Sequence, residues 1–164
     1  MNITYNLITM KKTITYPITL SKVFPITHPR HGQPTNFREK FDNRTKLHTI
    51  RANYAFWKDR FAYISKCNAV LSIRQWSAKP YCSKQEIITN LDINSKIGIE
   101  ELVFVDGEIN KPHIITSKNQ LIPVSVFELS NFDGLSVDDW LAWFKGYNLN
   151  QSMAIVHFTA FRYT

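Results

Sequence analysis

The hexapeptide Lys46-Leu47-His48-Thr49-Ile50-Arg51 is the most informative segment of this 164-residue chain. Its polar and apolar side chains alternate, which is the period of a β-strand with one buried face. On an ideal strand Lys46 and Thr49 lie on opposite faces. If both side chains serve one site, the segment must therefore contain a bulge or a strand end near Thr49.

The residues before the hexapeptide predict a strand, a loop and a short helix. The strand covers 14–20, and Pro17 indicates an edge or bent strand because proline cannot donate to a ladder. Three prolines and a glycine in 25–34 indicate a long loop with exposed positive charge. Thr35 is the predicted cap of a short helix that precedes the hexapeptide.

The residues after the hexapeptide predict two longer helices and most of the sheet. Apolar spacing indicates a helix over 54–67 and another over 137–145, the second begun by Ser136. A last strand over 153–163 is apolar on much of both faces, so we expect it inside a sheet. Asp106-Gly107 indicates a hairpin. The other predicted strands are 70–76, 85–91, 99–105, 113–116 and 121–127.

The order of these elements predicts an α+β fold, in which short strands close on themselves under a few covering helices. A length of 164 residues and a hydrophobic content of 44% indicate one globular domain with its own core. We place this domain at 14–164, after an N-terminal extension of residues 1–13.

Basic residues are concentrated around the hexapeptide. The net charge is +7, and the segment 22–60 alone holds nine Lys or Arg against three acids, interleaved with aromatic rings. Cations that meet phosphates beside rings that stack on bases are typical of single-stranded nucleic-acid or nucleotide binding. Arg30, Arg38 and Lys58 are candidate contacts for RNA. The alternative is a solvated basic face over an aromatic core.

Several function classes are disfavoured by missing motifs. The sequence has no HExxH, paired CxxC or EF-hand spacing, so we expect no metal and no cofactor, and His28 and His31 are expected at the surface of their loop. It has no Walker A, G-x-S-x-G or G-x-G-x-x-G motif either. With no membrane-spanning apolar run and only Cys67 and Cys82, a cytoplasmic protein with reduced thiols is expected.

The hexapeptide, preceded by a short helix with phenylalanines, resembles the G-x-K-T-x-T-x-R signature strand of the ASCH domains, a branch of the PUA-like β-barrel superfamily. The resemblance continues through 69–80, through Asp133-Gly134-Leu135-Ser136 and through the closing strand 155–161, and so spans most of 14–163. The sequence departs from the pattern at Arg44, where the family has glycine, and at Leu47, where it has threonine. Residues 25–36 look like an insertion.

The resemblance implies a PUA-like mixed β-barrel and an activity on nucleosides. Small ASCH proteins remove the acetyl group of N4-acetylcytidine with a lysine, a threonine and a carboxylate, which correspond here to Lys46, Thr49 and Asp133, an aspartate in place of glutamate. A threonine hydroxyl needs a neighbouring base, and Lys46 with a pKa lowered by burial or by Arg51 would serve. Asp133 would instead activate water or hold the exocyclic amine.

Three functions remain open at this point. The first is hydrolysis of N4-acetylcytidine-like nucleosides in a basic cleft, with Arg51 in the cleft and Trp76, after Arg74, stacking a base at its edge. The second is a non-catalytic RNA-binding module, and the third is RNA cleavage in the same cleft, as in some ASCH proteins. Structural alternatives stand beside each residue: Lys46 as an exposed strand lysine, Thr49 as a packed β-former, Asp133 as a turn residue and Trp76 as core.

Overall fold

A computed structural model describes residues 12–164, which form an α+β fold and confirm the predicted class. The extension predicted for 1–13 lies outside the described residues, apart from its last two positions. In the described part the strands are β1 (Ile14–Thr19), β2 (His48–Ala52), β3 (Ala69–Trp76), β4 (Gln85–Leu91), β5 (Gly98–Phe104), β6 (Pro112–Ile115), β7 (Leu121–Pro123) and β8 (Met153–His157). The α-helices are α1 (Phe37–Asp42), α2 (Tyr54–Lys66), α3 (Val126–Phe132) and α4 (Val137–Phe144).

The strands form two sheets, ordered β1-β3-β4 and β2-β8-β5-β6-β7. In the first sheet β1 lies parallel to β3 at the edge, so Pro17 occupies the edge strand predicted for it. In the second sheet β8 runs antiparallel to both β2 and β5, and all five of its residues are buried. An apolar strand inside a sheet was predicted here and is confirmed. Strand pairing within 12–164 does not join the two sheets into a closed barrel.

Strand β8 ends at His157, six residues before the predicted end. The chain then leaves the ladder, and the backbone N–H groups of Tyr163 and Thr164 donate to the buried carboxylate of Glu100 at 2.9 and 3.0 Å. The hydroxyl of Thr164 donates to the same carboxylate at 2.8 Å. Glu100 therefore takes the place of a ladder partner for the last residues.

The strand predicted over 121–127 is wrong beyond Pro123. Pro123 ends β7, and the Ser125 side chain accepts a hydrogen bond from the backbone N–H of Phe127 at 3.2 Å, which begins α3. The apolar run over these residues is compatible with either period, and the serine cap is the signal that favours the helix.

The predictions for the other helices are confirmed, except that the N-terminal cap of α1 is a different residue from the predicted one. Ser136 accepts from the backbone N–H of Asp139 at the start of α4, as its capping pattern predicts. The cap of α1 is Asn36, which lies in the left-handed region at φ 57°, rather than Thr35. The Thr35 hydroxyl is one residue too early and accepts only the N–H of Phe37, at 3.3 Å.

The hydrophobic core is shared by both sheets and the covering helices. Trp140 and Phe144 of α4, Trp57 and Ile64 of α2, and the apolar side chains of β3 and β8 are buried together. Asp106-Gly107 lies at positive φ in the loop that joins the antiparallel strands β5 and β6, in agreement with the predicted hairpin. No helix in 12–164 is long and apolar enough to cross a membrane.

Candidate functional site

A cleft of about 660 Å³ brings the ends of β1 and β3 together with the middle of β2 and the C-terminal ends of α3 and α4. Its volume lies in the range of small-molecule sites. Four of the predicted site residues line this cleft: Thr49, Arg51, Asp133 and Trp76. Its other lining side chains are mainly apolar or aromatic, among them Phe24, Ile26, Tyr81, Trp143 and Tyr147.

Lys46 and Asp133 form a buried ion pair beside the cleft. The Lys46 Nζ lies 2.5 Å from Oδ1 of Asp133 and donates also to the Asp133 backbone carbonyl. The ammonium lies 4.2 Å from the centroid of the Phe37 ring, which supplies a cation–π contact. The two side chains are 1% and 7% exposed. Lys46 is therefore enclosed behind Asp133, and the carboxylate is the member of the pair that lines the cleft.

The backbone explains how Lys46 and Thr49 come to serve one region. Lys46 precedes β2, which begins at His48, so of the two features predicted near Thr49, a bulge or a strand end, the strand end is present. The N–H of Lys46 donates to the carbonyl of Lys40, and the N–H of Leu47 donates to that of Phe132, each at 2.8 Å. These bonds join the segment to α1 and α3 and direct the lysine toward Asp133.

Gly134 allows this close approach. Its φ of +78° lies in the region that favours glycine, and an added Cβ would lie 3.3 Å from Cδ of Lys40 and 3.4 Å from Cβ of Lys46. The Gly134 carbonyl accepts a hydrogen bond from Lys40 Nζ at 2.7 Å. A residue with a side chain here would meet both lysines.

Burial shifts the pKa values of the ion pair toward each other. It lowers the pKa of the Lys46 ammonium and raises that of the Asp133 carboxyl, because both charged forms lose hydration. The attraction between the two groups, and for Asp133 that of Arg51, opposes both shifts only in part. Converging pKa values make Asp133 a better proton acceptor near neutral pH than an exposed aspartate.

Arg51 and Thr49 leave bonding capacity free at the cleft. Arg51 Nη2 donates to the carbonyl of Thr19 at 2.8 Å, and Nη1 to that of Ile50 at 3.1 Å, which fixes the guanidinium. Within the described residues Arg51 has no carboxylate at salt-bridge distance, and the Thr49 hydroxyl has no hydrogen-bond partner. Both groups are available to a bound molecule.

The remaining candidate residues lie outside this cleft. Arg30 pairs with Asp139 at 2.7 Å, and Arg38 lies 3.7 Å from Asp42 on α1. Lys58 on α2 lies over the Tyr54 ring, and Arg74 donates to Ser72 and Gln85. The basic residues of segment 22–60 are therefore distributed over several surfaces. Arg51 is the one among them that lines the cleft.

The structure also adds features that sequence reasoning missed. His28, predicted at the surface, is buried, because its ring stacks on Phe24 with centroids 4.4 Å apart and its Nε2 lies 3.0 Å from the Asp139 carbonyl. Trp143 and Tyr147 reach the cleft from α4 and the turn after it. Their helical spacing marks an apolar face, and periodicity does not tell a cleft wall from a core.

A second buried polar cluster lies in the β2-β8-β5 sheet. His48 Nε2 lies 2.8 Å from the Tyr163 hydroxyl, and His157 Nε2 lies 2.7 Å from a Glu100 carboxylate oxygen. The two imidazole rings meet edge to face with centroids 5.5 Å apart. Burial lowers the pKa of His157 and lowers that of His48 further, so His48 is neutral in the folded protein.

Neither a metal nor a known relative defines the site. The described residues contain no group of three His, Cys, Asp or Glu side chains that could hold a metal ion. Cys67 and Cys82 are exposed free thiols. Comparison with models of protein families, with curated proteins and with solved structures found no match to this chain. The site is thus defined by its own geometry.

Proposed function

We propose that this protein is an ASCH-like member of the PUA-like superfamily whose cleft binds a nucleoside or RNA and hydrolyses an N4-acetylcytidine-like amide. The observation that carries the proposal is the ion pair of Lys46 and Asp133 beside a cleft that also contains Thr49 and Arg51. Lys46, Thr49 and Asp133 are the residues that the resemblance assigns to the site, and Lys46 and Asp133 are 87 residues apart in the chain.

The proposed reaction uses Thr49 as nucleophile and Asp133 as base. No hydrogen bond joins Thr49 to Asp133 in the described residues, so a bound substrate must first align the two side chains. The Thr49 oxygen then attacks the acetyl carbonyl carbon while its proton passes to the Asp133 carboxylate. Collapse of the tetrahedral intermediate breaks the C–N bond, and the exocyclic amine takes that proton. Water then attacks the acetyl ester and gives a proton to Asp133. The ester C–O bond breaks, Asp133 returns that proton to the Thr49 oxygen, and acetic acid leaves and ionises to acetate. Lys46 acts as a positioning residue, because its ammonium holds the carboxylate without lining the cleft.

The test is release of acetate and cytidine from N4-acetylcytidine by the purified protein. We expect turnover in the unmodified chain and a loss of about 10² to 10⁴ fold in Asp133→Asn, the range for loss of an acid–base group. Thr49→Val removes the nucleophile and should reduce turnover at least as much. Lys58→Gln, which changes a cation outside the cleft, is the control and should retain full activity. No turnover by the unmodified chain would overturn the hydrolase proposal.

The positioning role of Lys46 has a readout of its own. Lys46→Met removes the positive charge that lowers the pKa of Asp133, so the pKa of Asp133 should rise. Because Asp133 must be ionised to act as base, the acidic limb of the pH profile of kcat then moves to higher pH. A lysine that only supported the fold would reduce activity without moving that limb.

RNA binding without catalysis is the second candidate, and the aromatic lining of the cleft favours it. It predicts salt-sensitive binding of single-stranded RNA with no release of acetate. Shortening of labelled RNA in the same assay would identify the third function, a ribonuclease.

A further inference from the structure

The cleft carries a positive charge that its own residues do not neutralise. Asp133 is the acidic side chain among the described lining residues, and its charge is already matched by Lys46 at 2.5 Å. Arg51 therefore adds an uncompensated charge, with Lys79 also on the lining. Asp133 attracts Arg51, but no carboxylate of the described residues lies at salt-bridge distance from it. A fixed and partly desolvated guanidinium of this kind is costly unless a ligand supplies the anion.

The geometry of Arg51 favours binding of a single phosphate or carboxylate group over unspecific attraction of any negatively charged surface. Two of its donors are held by the carbonyls of Thr19 and Ile50, on neighbouring segments of the cleft wall. The side chain is thereby fixed before a ligand arrives, and its remaining N–H groups have no hydrogen-bond partner among residues 12–164. A planar guanidinium with free donors binds phosphate or carboxylate oxygens by charge-assisted hydrogen bonds.

Aromatic side chains form the mouth of the same cleft. Tyr81 is 89% exposed and lies at φ +63°, a conformation that is uncommon for a residue with a large side chain. Its ring lies 5.3 Å from that of Trp76, and Tyr147, 42% exposed, also lines the cleft. An exposed ring held in this conformation beside a cleft is suited to stacking on a planar ligand.

We propose that the cleft is built for a phosphorylated nucleoside, with Arg51 binding a phosphate and Tyr81 stacking on the base. This inference rests on the proposed function and narrows its substrate class from nucleosides to nucleotides, free or within an RNA strand. The phosphate of a mononucleotide and that of a chain share one chemistry, so the experiment compares the two sources.

The experiment measures binding of cytidine, cytidine 5′-monophosphate and a cytidine trinucleotide to the full chain by calorimetry at low salt. We expect the monophosphate to bind about 10 to 100 fold more tightly than cytidine, the range for a charge-assisted contact. Added salt should weaken the binding of the monophosphate and leave the binding of cytidine unchanged. A trinucleotide that binds more tightly again would identify RNA as the source, and equal binding would identify free nucleotides.

Three variants separate the two contacts. Arg51→Gln should abolish the advantage of the phosphate, and Tyr81→Ser, at a fully exposed position, should weaken cytidine and the monophosphate equally. Lys66→Gln, at an exposed cation in the last turn of α2 and outside the cleft, is the control. Because Arg51 also supports the fold, the salt dependence of the unmodified protein tests for the phosphate contact in the cleft without a substitution.

Equal affinity for cytidine and its monophosphate would overturn the inference, and acetate release in the same preparation would show that the hydrolase proposal survives it. Phosphate-dependent binding without acetate release would support the inference and refute the hydrolase. A chain that binds none of the three probes would overturn the inference, and release of acetate from N4-acetylcytidine would still decide the hydrolase proposal by itself.

Discussion

Loss of either partner of the Lys46–Asp133 ion pair should destabilise the fold strongly. The side chains are 1% and 7% exposed and meet at 2.5 Å, so each substitution leaves the other charge buried. Breaking a buried pair in this way costs about 3 to 5 kcal/mol. We expect that loss for Lys46→Met, and a similar one for Asp133→Asn, after which the ammonium keeps neutral partners, the amide oxygen and backbone carbonyl of position 133 and the Phe37 ring, but loses its carboxylate.

The double variant gives the decisive comparison. Lys46→Met with Asp133→Asn leaves no unpaired charge, so it should be more stable than the sum of the single losses predicts, by about 2 kcal/mol. Urea unfolding of all four proteins measures the coupling. The control is the exposed pair of Arg38 and Asp42, whose atoms lie 3.7 Å apart and whose coupling should be within error. Additivity within about 0.5 kcal/mol at Lys46 and Asp133 would refute the reasoning.

Two further predictions concern pH and the backbone. The folded-state pKa of His48 lies well below 6.5, so the unfolded chain binds more protons at acidic pH, and the free energy of unfolding should fall by about 1.4 kcal/mol per pH unit below pH 6.5 on account of this residue. Urea unfolding at pH 7.5 and 5.5 should show a smaller fall for His48→Gln than for the unmodified chain, and equal slopes would contradict the assignment. Gly134→Ala combines a φ of +78° with contacts at 3.3 and 3.4 Å, so it should cost about 1 to 3 kcal/mol. Gly146→Ala, which meets nothing within 4 Å, should change the midpoint of thermal unfolding little, and an equal loss in both variants would contradict the account.

Local patterns predicted most of the elements, because period and capping act between neighbours in the chain. The helices α2 and α4 and the strands β3 and β4 lie within about one residue of their predicted ends. The miss at α3 arose where an apolar run fits both periods, and the early end of β8 arose because Glu100 binds the backbone of Tyr163. Contacts of this second kind are distant in sequence, so no window of residues contains them.

The site shows the same division. The sequence by itself determined the residue types at Lys46, Thr49, Arg51 and Asp133 and the need for a bulge or a strand end near Thr49. Only the tertiary structure decided that Lys46 is enclosed behind Asp133, that Arg51 keeps free donors in the cleft, and that Arg30 is paired with Asp139. The reason is physical. The residue type alone gives the ionisable group of a side chain, whereas its burial and its partners depend on which distant segments pack against it.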